Sequence, residues 1–282
     1  MNEMVYMDYD YLKLICCLFF AIIILLLIRR ILIDKITSED IEISTKSVLG
    51  REEIQEDCMN IIERPYGTLA VLADGFGKNE AGKVASKVAV NFITETFIKE
   101  NSSSKIAYFF KKALMKANHE VIERIERDAG GASVTLAFIK DNYLHYALVG
   151  NVMLAVFRRG ELVRLSEGHN IYEIAEKAYV EGKIIKEDAI YTLNGERLIY
   201  YLGRESLKEI EISEVPIELR KNDIVILMNK GIYENIRWIE IEDILGDRNL
   251  DLESKSDLII NRLNLRQNGS IILMKYCSNK AG

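Results

Sequence analysis

An uncharged apolar run near the N-terminus constrains this chain more than any other feature of its sequence. The run reads LICCLFFAIIILLLI over residues 14–28, with Lys13 before it and Arg29 and Arg30 after it. Its roughly 15 residues are fewer than the ~20 that a membrane-spanning helix needs, but long basic side chains at both ends can reach the membrane interfaces. We therefore expect a single transmembrane helix over residues 12–33.

Two other interpretations of this run are weaker. A cleaved signal peptide begins with a basic segment, whereas residues 1–11 form a short acidic tail, and no small-residue cleavage site follows Ile33. A core helix of a soluble protein presents a polar face, and this run has none. Because basic residues are concentrated after the run, we expect a single-pass protein of the cell membrane whose C-terminal domain is cytoplasmic.

The charge and cysteine content exclude several classes of protein. There are 37 basic and 43 acidic side chains, which gives a net charge of −6, and no Lys/Arg cluster has interleaved aromatic residues. Nucleic-acid binding is therefore not expected. The four cysteines match neither a zinc-ligand spacing nor a disulfide framework, and they are typical of a reducing compartment: Cys16, Cys17, Cys58 and Cys277.

The part of the chain after the apolar run is predicted to be one domain. Residues 34–46 are polar without strong periodicity and are interpreted as a juxtamembrane linker, and residues 47–278 as the domain. Helical periodicity is found over residues 81–100 and 105–126, and short β-prone runs separated by turns follow, with a charged helical insert at residues 171–189. Strands in runs and helices in runs predict an α+β fold, with two antiparallel sheets flanked by helices.

Carboxylates are the first candidates for chemistry. Glu56 and Asp57 are adjacent, and Asp74 ends a predicted strand in a Gly-rich turn. Hard divalent ions take such oxygen ligands. Each of these residues also has a structural explanation, because aspartate is common in turns and adjacent acids usually lie on a solvated face. The histidines have no ligand spacing, and GFGKNEAG lacks the order of a phosphate-binding loop.

Five blocks of the domain follow one another in an informative order. VLADGFGKNEAGKVASKVAV contains a strand that ends in Asp-Gly-x-Gly, followed by a helix. A predicted meander of strands comes next, GGASVTLAFIKDNYLHYALVGNVMLAVFRRGELVRLSEGHN. It is followed by three blocks: EGKIIKEDAI with RLIYYLG, LRKNDIVILMNKGIYENI, and QNGSIILMKY. Together these blocks resemble the metal-dependent (PPM-type, type 2C-like) protein serine/threonine phosphatase family. The resemblance covers about residues 47 to 277 and implies a four-layer α-β-β-α sandwich.

The resemblance also implies a set of site residues. Family enzymes hold two metal ions bridged by a water molecule that attacks phosphoserine or phosphothreonine. Asp74 corresponds to the bridging aspartate and Gly75 to the glycine that offers its carbonyl oxygen, while Glu56 and Asp57 correspond to the Glu-Asp pair of the first motif. Arg51 is the possible phosphate-binding arginine, but its spacing to the pair is one residue too long. On a strand, that slip would turn its side chain to the other face.

Three metal-binding aspartates of the family are replaced in this chain. Lys230 replaces the aspartate of the family's Ser-Asp-Gly motif. Gln267 replaces the aspartate of its Asp-Asn motif, and Asn151 replaces the aspartate of the Gly-Asp pair that binds an auxiliary metal. Two-metal catalysis needs carboxylates that neutralise the ions. An ammonium ~4 Å from a metal ion would cost ~4 kcal/mol per unit of metal charge at an effective dielectric of ~20. We therefore expect one metal site to be lost and no cofactor to be bound.

A structural role for Lys230 follows from the same pattern. If Glu56, Asp57 and Asp74 lie close together, their mutual repulsion needs a counter-charge. The hypothesis is that Lys230 supplies this charge in the vacated metal position.

We interpret the chain as a membrane-anchored, cytoplasm-facing pseudophosphatase that binds an unidentified protein partner at the membrane. The alternative is a weakly active phosphoserine/phosphothreonine phosphatase that uses one Mn²⁺ or Mg²⁺ ion held by Glu56, Asp74 and Gly75. A third possibility is a phosphopeptide-binding module in which Lys230 contacts the phosphate as a point charge.

Overall fold

The computed structural model of the chain contains two compact units, residues 1–39 and residues 40–282. The part of the chain that the structure describes comprises residues 9–37, 41–51, 53–100, 105–126, 129–169, 175, 178–183, 198–263 and 268–278, with the side chains of the first helix over 11–29.

The first unit is a single long helix, α1 (Tyr9–Thr37). Its segment Tyr11–Arg29 has a mean hydropathy of 2.9, and none of it is buried. At 1.5 Å per residue, 19 residues extend about 28 Å, close to the thickness of the hydrocarbon core of a bilayer. By length and composition, α1 is therefore a candidate membrane span.

The second unit is built on two antiparallel sheets. The first, with order β1-β11-β10-β6-β7, contains β1 (Ile41–Val48), β6 (Met153–Arg158), β7 (Glu161–Arg164), β10 (Ile224–Met228) and β11 (Gly269–Tyr276). The second, with order β2-β3-β4-β5-β8, contains β2 (Cys58–Arg64), β3 (Gly67–Gly77), β4 (Gly130–Lys140), β5 (Tyr143–Val149) and β8 (Glu211–Ile212), and β9 (Ile217–Glu218) also pairs with β5.

Helices cover the outer face of each sheet. The second sheet packs against α2 (Ala81–Glu100) and α3 (Ile106–Arg124). The first packs against α4 (Lys230–Tyr233), α5 (Trp238–Gly246) and α6 (Leu252–Asn261). A third apolar core lies between the sheets. The α+β fold and the four-layer α-β-β-α sandwich expected from the sequence are confirmed.

The strand pattern of β3 shows how the layers arise. Leu69, Val71 and Ala73 point into the core shared with α2 and α3, whereas Ala70 and Leu72 point into the core between the sheets. All five side chains are inaccessible to solvent, so the run reads as continuously apolar rather than alternating.

The predicted linker was wrong over its second half. Residues 34–46 include the start of β1, which pairs with β11 from Ile41 to Val48. The strand was missed because one of its faces is polar. Ser44 donates a hydrogen bond to Glu253 of α6 at 2.6 Å, and the Lys46 ammonium lies 2.5 Å from the same carboxylate. Polar pairing with a helix has replaced the apolar alternation that marks a strand.

Two other predicted segments also differ. RLIYYLG does not form a ladder strand in its described part, where Leu202 makes an isolated bridge to Ala132. Most of the helical insert predicted at 171–189 lies outside the described residues.

The antiparallel order brings several strand ends to one edge of the sandwich. β3 and β10 end at this edge, and β2, β4 and β11 begin there, as the pairing registers require. The loop from β1 to β2 and the turn from β5 to β6 lie at the same edge. The candidate site residues are therefore gathered by topology, although they are far apart in the sequence.

Candidate functional site

Asp74 lies near the end of β3 and faces the space between the sheets. Its register partner on β4 is Ser133. Side chains two residues apart on a strand lie on the same face. Ala70 and Leu72 point into the core between the sheets, so the Asp74 carboxylate also points between the sheets.

Gly75 allows the first motif to approach β3 closely. Its N–H donates a hydrogen bond to the Glu56 carbonyl oxygen at 3.2 Å, which extends the β2–β3 ladder beyond Cys58. A Cβ at Gly75 would lie 2.2 Å from the carbonyl oxygen of Gly82, so no side chain fits there. The continued register sets Asp57 beside Asp74 on the inter-sheet face.

The Glu56 carboxylate lies against the first turn of α2. A Cβ at Gly82 would come within 2.5 Å of Glu56 Oε1. The N-terminal end of a helix favours a negative charge, because the backbone N–H groups of its first turn have no partner within the helix.

The Asp57 carboxylate is engaged by two uncharged donors from the other sheet. Its Oδ2 atom accepts a hydrogen bond from Asn229 Nδ2 at 2.9 Å and another from Ser270 Oγ at 2.6 Å. Asn229 directly follows β10 and Ser270 belongs to β11. Asp57 therefore accepts hydrogen bonds from an amide and a hydroxyl group at the edge where the family resemblance implies a metal site.

Asn229 is fixed by the start of β11. Its Nδ2 also donates to the Asn268 carbonyl oxygen at 2.9 Å, and its Oδ1 accepts from the Ser270 N–H at 3.1 Å. A Cβ at Gly231 would lie 1.9 Å from the same Asn268 carbonyl oxygen, so glycine is required for this close contact between α4 and β11.

Lys230 is the first residue of α4. Its ammonium lies 3.5 Å from the Glu234 carboxylate, one turn along the chain, with 28% and 41% of the two side chains exposed. A partly exposed pair at this spacing contributes only about 0.3 to 0.5 kcal/mol. The hypothesis that Lys230 is the counter-charge for the three carboxylates stays a prediction.

Asn151 is held in the turn between β5 and β6. Its Oδ1 accepts a hydrogen bond from Ser133 Oγ at 2.9 Å, and its carbonyl oxygen accepts one from the Tyr233 hydroxyl at 3.0 Å. These contacts connect β4, the turn and α4 at the edge that contains Asp74. The amide at this position thus has a structural role.

Arg51 lies in a loop and not on a strand. β1 ends at Val48, and the Arg51 side chain is exposed. The loop is clamped by Asn268, whose Oδ1 accepts from the Gly50 N–H at 3.0 Å and whose Nδ2 donates to the Ile54 carbonyl oxygen at 3.1 Å. Strand alternation therefore does not apply to Arg51, and its role in phosphate binding stays a prediction. Gln267 lies outside the described residues.

The two-metal centre that the resemblance implies needs several carboxylate ligands at this edge. Within the described part of the chain, no group of three or more His, Cys, Asp or Glu side chains is placed to hold a metal ion. Lys230 introduces a cation, and Asp57 Oδ2 already accepts two hydrogen bonds. A centre that needs several carboxylates to neutralise two divalent ions does not fit these residues.

The sandwich, with Asp-Gly at the end of a central strand, defines a phosphatase-type fold. The model of the Protein phosphatase 2C family matches residues 46–199, which is more than half of the chain. The chain therefore belongs to the protein phosphatase 2C family.

Individual relatives agree with this assignment. The chain is 27% identical over 205 residues to the serine/threonine phosphatase stp of Listeria welshimeri, covering 70% of this chain and 78% of the relative. Its fold is similar to that of the Streptococcus agalactiae serine/threonine phosphatase, with a TM-score of 0.74, 21% identity, and coverage of 84% and 100% of the two chains.

The catalytic domain of the serine/threonine phosphatase PstP, solved in complex with two manganese ions, is also similar. Its TM-score is 0.67 at 20% identity, and the similarity covers 86% of this chain and all of that one. The family match ends at residue 199, before Lys230 and Gln267. The assignment of Lys230 to a metal position thus rests on the order of motifs and on its place in the fold, and that of Gln267 on the order of motifs.

Glu211 binds the segment after β7, which contacts the β5–β6 turn. Its carboxylate accepts hydrogen bonds from the backbone N–H groups of Glu167 and Gly168 at 3.0 to 3.2 Å. The next residue, His169, accepts a hydrogen bond at Nδ1 from the Gly150 N–H at 3.1 Å. Burial is the main cause that raises the pKa of the Glu211 carboxyl, and the two backbone donors oppose this shift.

The raised pKa of Glu211 predicts a pH-dependent effect of its substitution. A carboxyl whose pKa is higher in the folded than in the unfolded state contributes stability at low pH, and this contribution is lost as pH rises through the folded value. Glu211→Gln, which does not titrate, lacks that loss. The melting temperature of Glu211→Gln minus that of the wild type should therefore increase from pH 4 to pH 8. The exposed Glu214→Gln is the matched control, and a pH-independent difference for Glu211→Gln would contradict the assignment.

Proposed function

We propose that the domain is a pseudophosphatase, a phosphatase-fold module that binds a protein partner without hydrolysing phosphoprotein. The observation that carries this proposal is the state of Asp57, which is bound by the side chains of Asn229 and Ser270 next to a lysine in the family's Ser-Asp-Gly position. Carboxylates of a two-metal centre must be available to the ions. Here Asp57 Oδ2 accepts hydrogen bonds from two neutral donors, and a lysine replaces the aspartate of the family's Ser-Asp-Gly motif.

A second candidate is a weak serine/threonine phosphatase with one Mn²⁺ or Mg²⁺ ion. Glu56, Asp74 and Gly75 would hold the ion, since all three family positions are retained and lie at one edge of the sandwich. The names of the relatives support this candidate better than the first, because these relatives are described as serine/threonine phosphatases.

A phosphate-release assay separates the two candidates. The full chain in detergent is incubated with phosphoserine and phosphothreonine peptides and Mn²⁺, beside the Asp74→Asn variant. The pseudophosphatase proposal expects equal release from both proteins, at the level of the buffer. Asp141→Asn, an exposed acid in the turn between β4 and β5, is the matched control. Metal-dependent release that is lost in Asp74→Asn and kept in Asp141→Asn would establish the second candidate.

We further propose that α1 anchors the domain in the cell membrane, with the domain in the cytoplasm and its protein partner nearby. The fully exposed apolar surface of Tyr11–Arg29 supports the anchor. The basic residues after it support the orientation. No partner is identified by the sequence or the fold.

The anchor predicts that the chain stays with membranes during alkaline carbonate extraction. Placing aspartates at Ile22 and Leu25 should release it, because a charged residue at the centre of a membrane helix costs about 2.5 to 3.5 kcal/mol. Serine substitutions at the same two positions are the control. Release of the wild-type chain by carbonate would refute membrane insertion.

A further inference from the structure

The hydrogen bonds to Asp57 connect the two sheets of the sandwich. Asp57 directly precedes β2 of the second sheet, whereas Ser270 belongs to β11 of the first sheet and Asn229 directly follows β10 of that sheet. The residues are 172 and 213 positions apart in the sequence, so these contacts exist only in the folded chain.

Both donors are buried and fully used. Asn229 is 2% exposed and Ser270 is not exposed. The amide of Asn229 makes three hydrogen bonds, to Asp57 and to the backbone on either side of Gly269. The hydroxyl of Ser270 donates to Asp57 and lies 2.9 Å from the Ser47 hydroxyl, from which it can accept. A buried network in which each member has partners fixes one arrangement of its elements.

We propose that Asp57, Asn229 and Ser270 form a latch that joins the two sheets at the candidate-site edge and keeps this edge closed without a metal ion. In the latch the Asp57 carboxylate is the hydrogen-bond acceptor that joins donors from the other sheet. The inference goes beyond the proposed function, because it concerns the stability of the edge and holds with or without residual activity.

The latch differs from the counter-charge hypothesis in its prediction for substitutions. A counter-charge at Lys230 would make Lys230→Ala the most destabilising change at this edge. The latch assigns that place to Asp57 and Asn229. Removing Asp57 takes the acceptor from one N–H of the buried Asn229 amide, and removing Asn229 takes one hydrogen bond from a charged carboxylate.

Thermal unfolding of the full chain in detergent tests the latch by a double-mutant cycle. Asp57→Ala and Asn229→Ala should each lower the melting temperature by about 4 to 10 °C, as expected when a hydrogen bond to a charged group is lost from a domain of this size. Because both variants remove the same interaction, the double variant should fall well short of the summed decrease. The wild-type melting temperature should be the same with EDTA as with excess Mn²⁺.

Asn235→Ala is the matched control for the cycle. The Asn235 amide donates to the Gly231 carbonyl oxygen within the same short segment as Asn229. Its effect should add to that of Asp57→Ala. If Asp57→Ala does not fold, Asp57→Leu replaces it in the cycle, since leucine has a similar shape and no hydrogen-bond acceptor.

Two results would overturn the latch. One is additivity of the Asp57 and Asn229 substitutions, in either the alanine or the leucine cycle. The other is a rise of more than about 5 °C in the wild-type melting temperature with Mn²⁺, since ligand binding to the folded state stabilises it by mass action. Neither result depends on phosphate release, so failure of the latch is distinguishable from failure of the pseudophosphatase proposal.

Discussion

Apolar packing between the two antiparallel sheets is the interaction on which the rest of the structure depends. Leu72 and Ala70 of β3 meet Leu227 and Val225 of β10 in a core from which solvent is excluded. Burial of such side chains contributes about 1.5 to 3 kcal/mol for each large residue. The packing also fixes the register of the strands, and the register decides which side chains meet where the strands end.

The chemistry of that edge then depends on charge. Asp57 and Asp74 lie side by side on the inter-sheet face, and a compact group of carboxylates needs either cations or hydrogen-bond donors. In this chain Asn229 and Ser270 supply donors to Asp57, and Lys230 pairs with Glu234. The edge retains the shape of a family site, but its donors and acceptors are arranged for a hydrogen-bonded network.

The sequence predicted the fold well because the motifs that carry it are local. Asp74 and Gly75 follow an apolar strand directly, and the helix after them has clear periodicity. β1 was not predicted, since its outer face pairs with acidic side chains of α6. Asn229 and Ser270 were missed as partners of Asp57 because their contacts join residues distant in sequence.

Calorimetric titration of the full chain with Mn²⁺ tests the central claim most directly, namely that this family member does not assemble a two-metal centre. We expect no saturable binding with a dissociation constant below about 1 mM, which corresponds to a binding free energy of about −4 kcal/mol. Loss of any saturable signal in Asp74→Asn would show that the measured ion binds at the edge of the sandwich. Two saturable sites in the micromolar range, both lost in Asp74→Asn, would contradict the account.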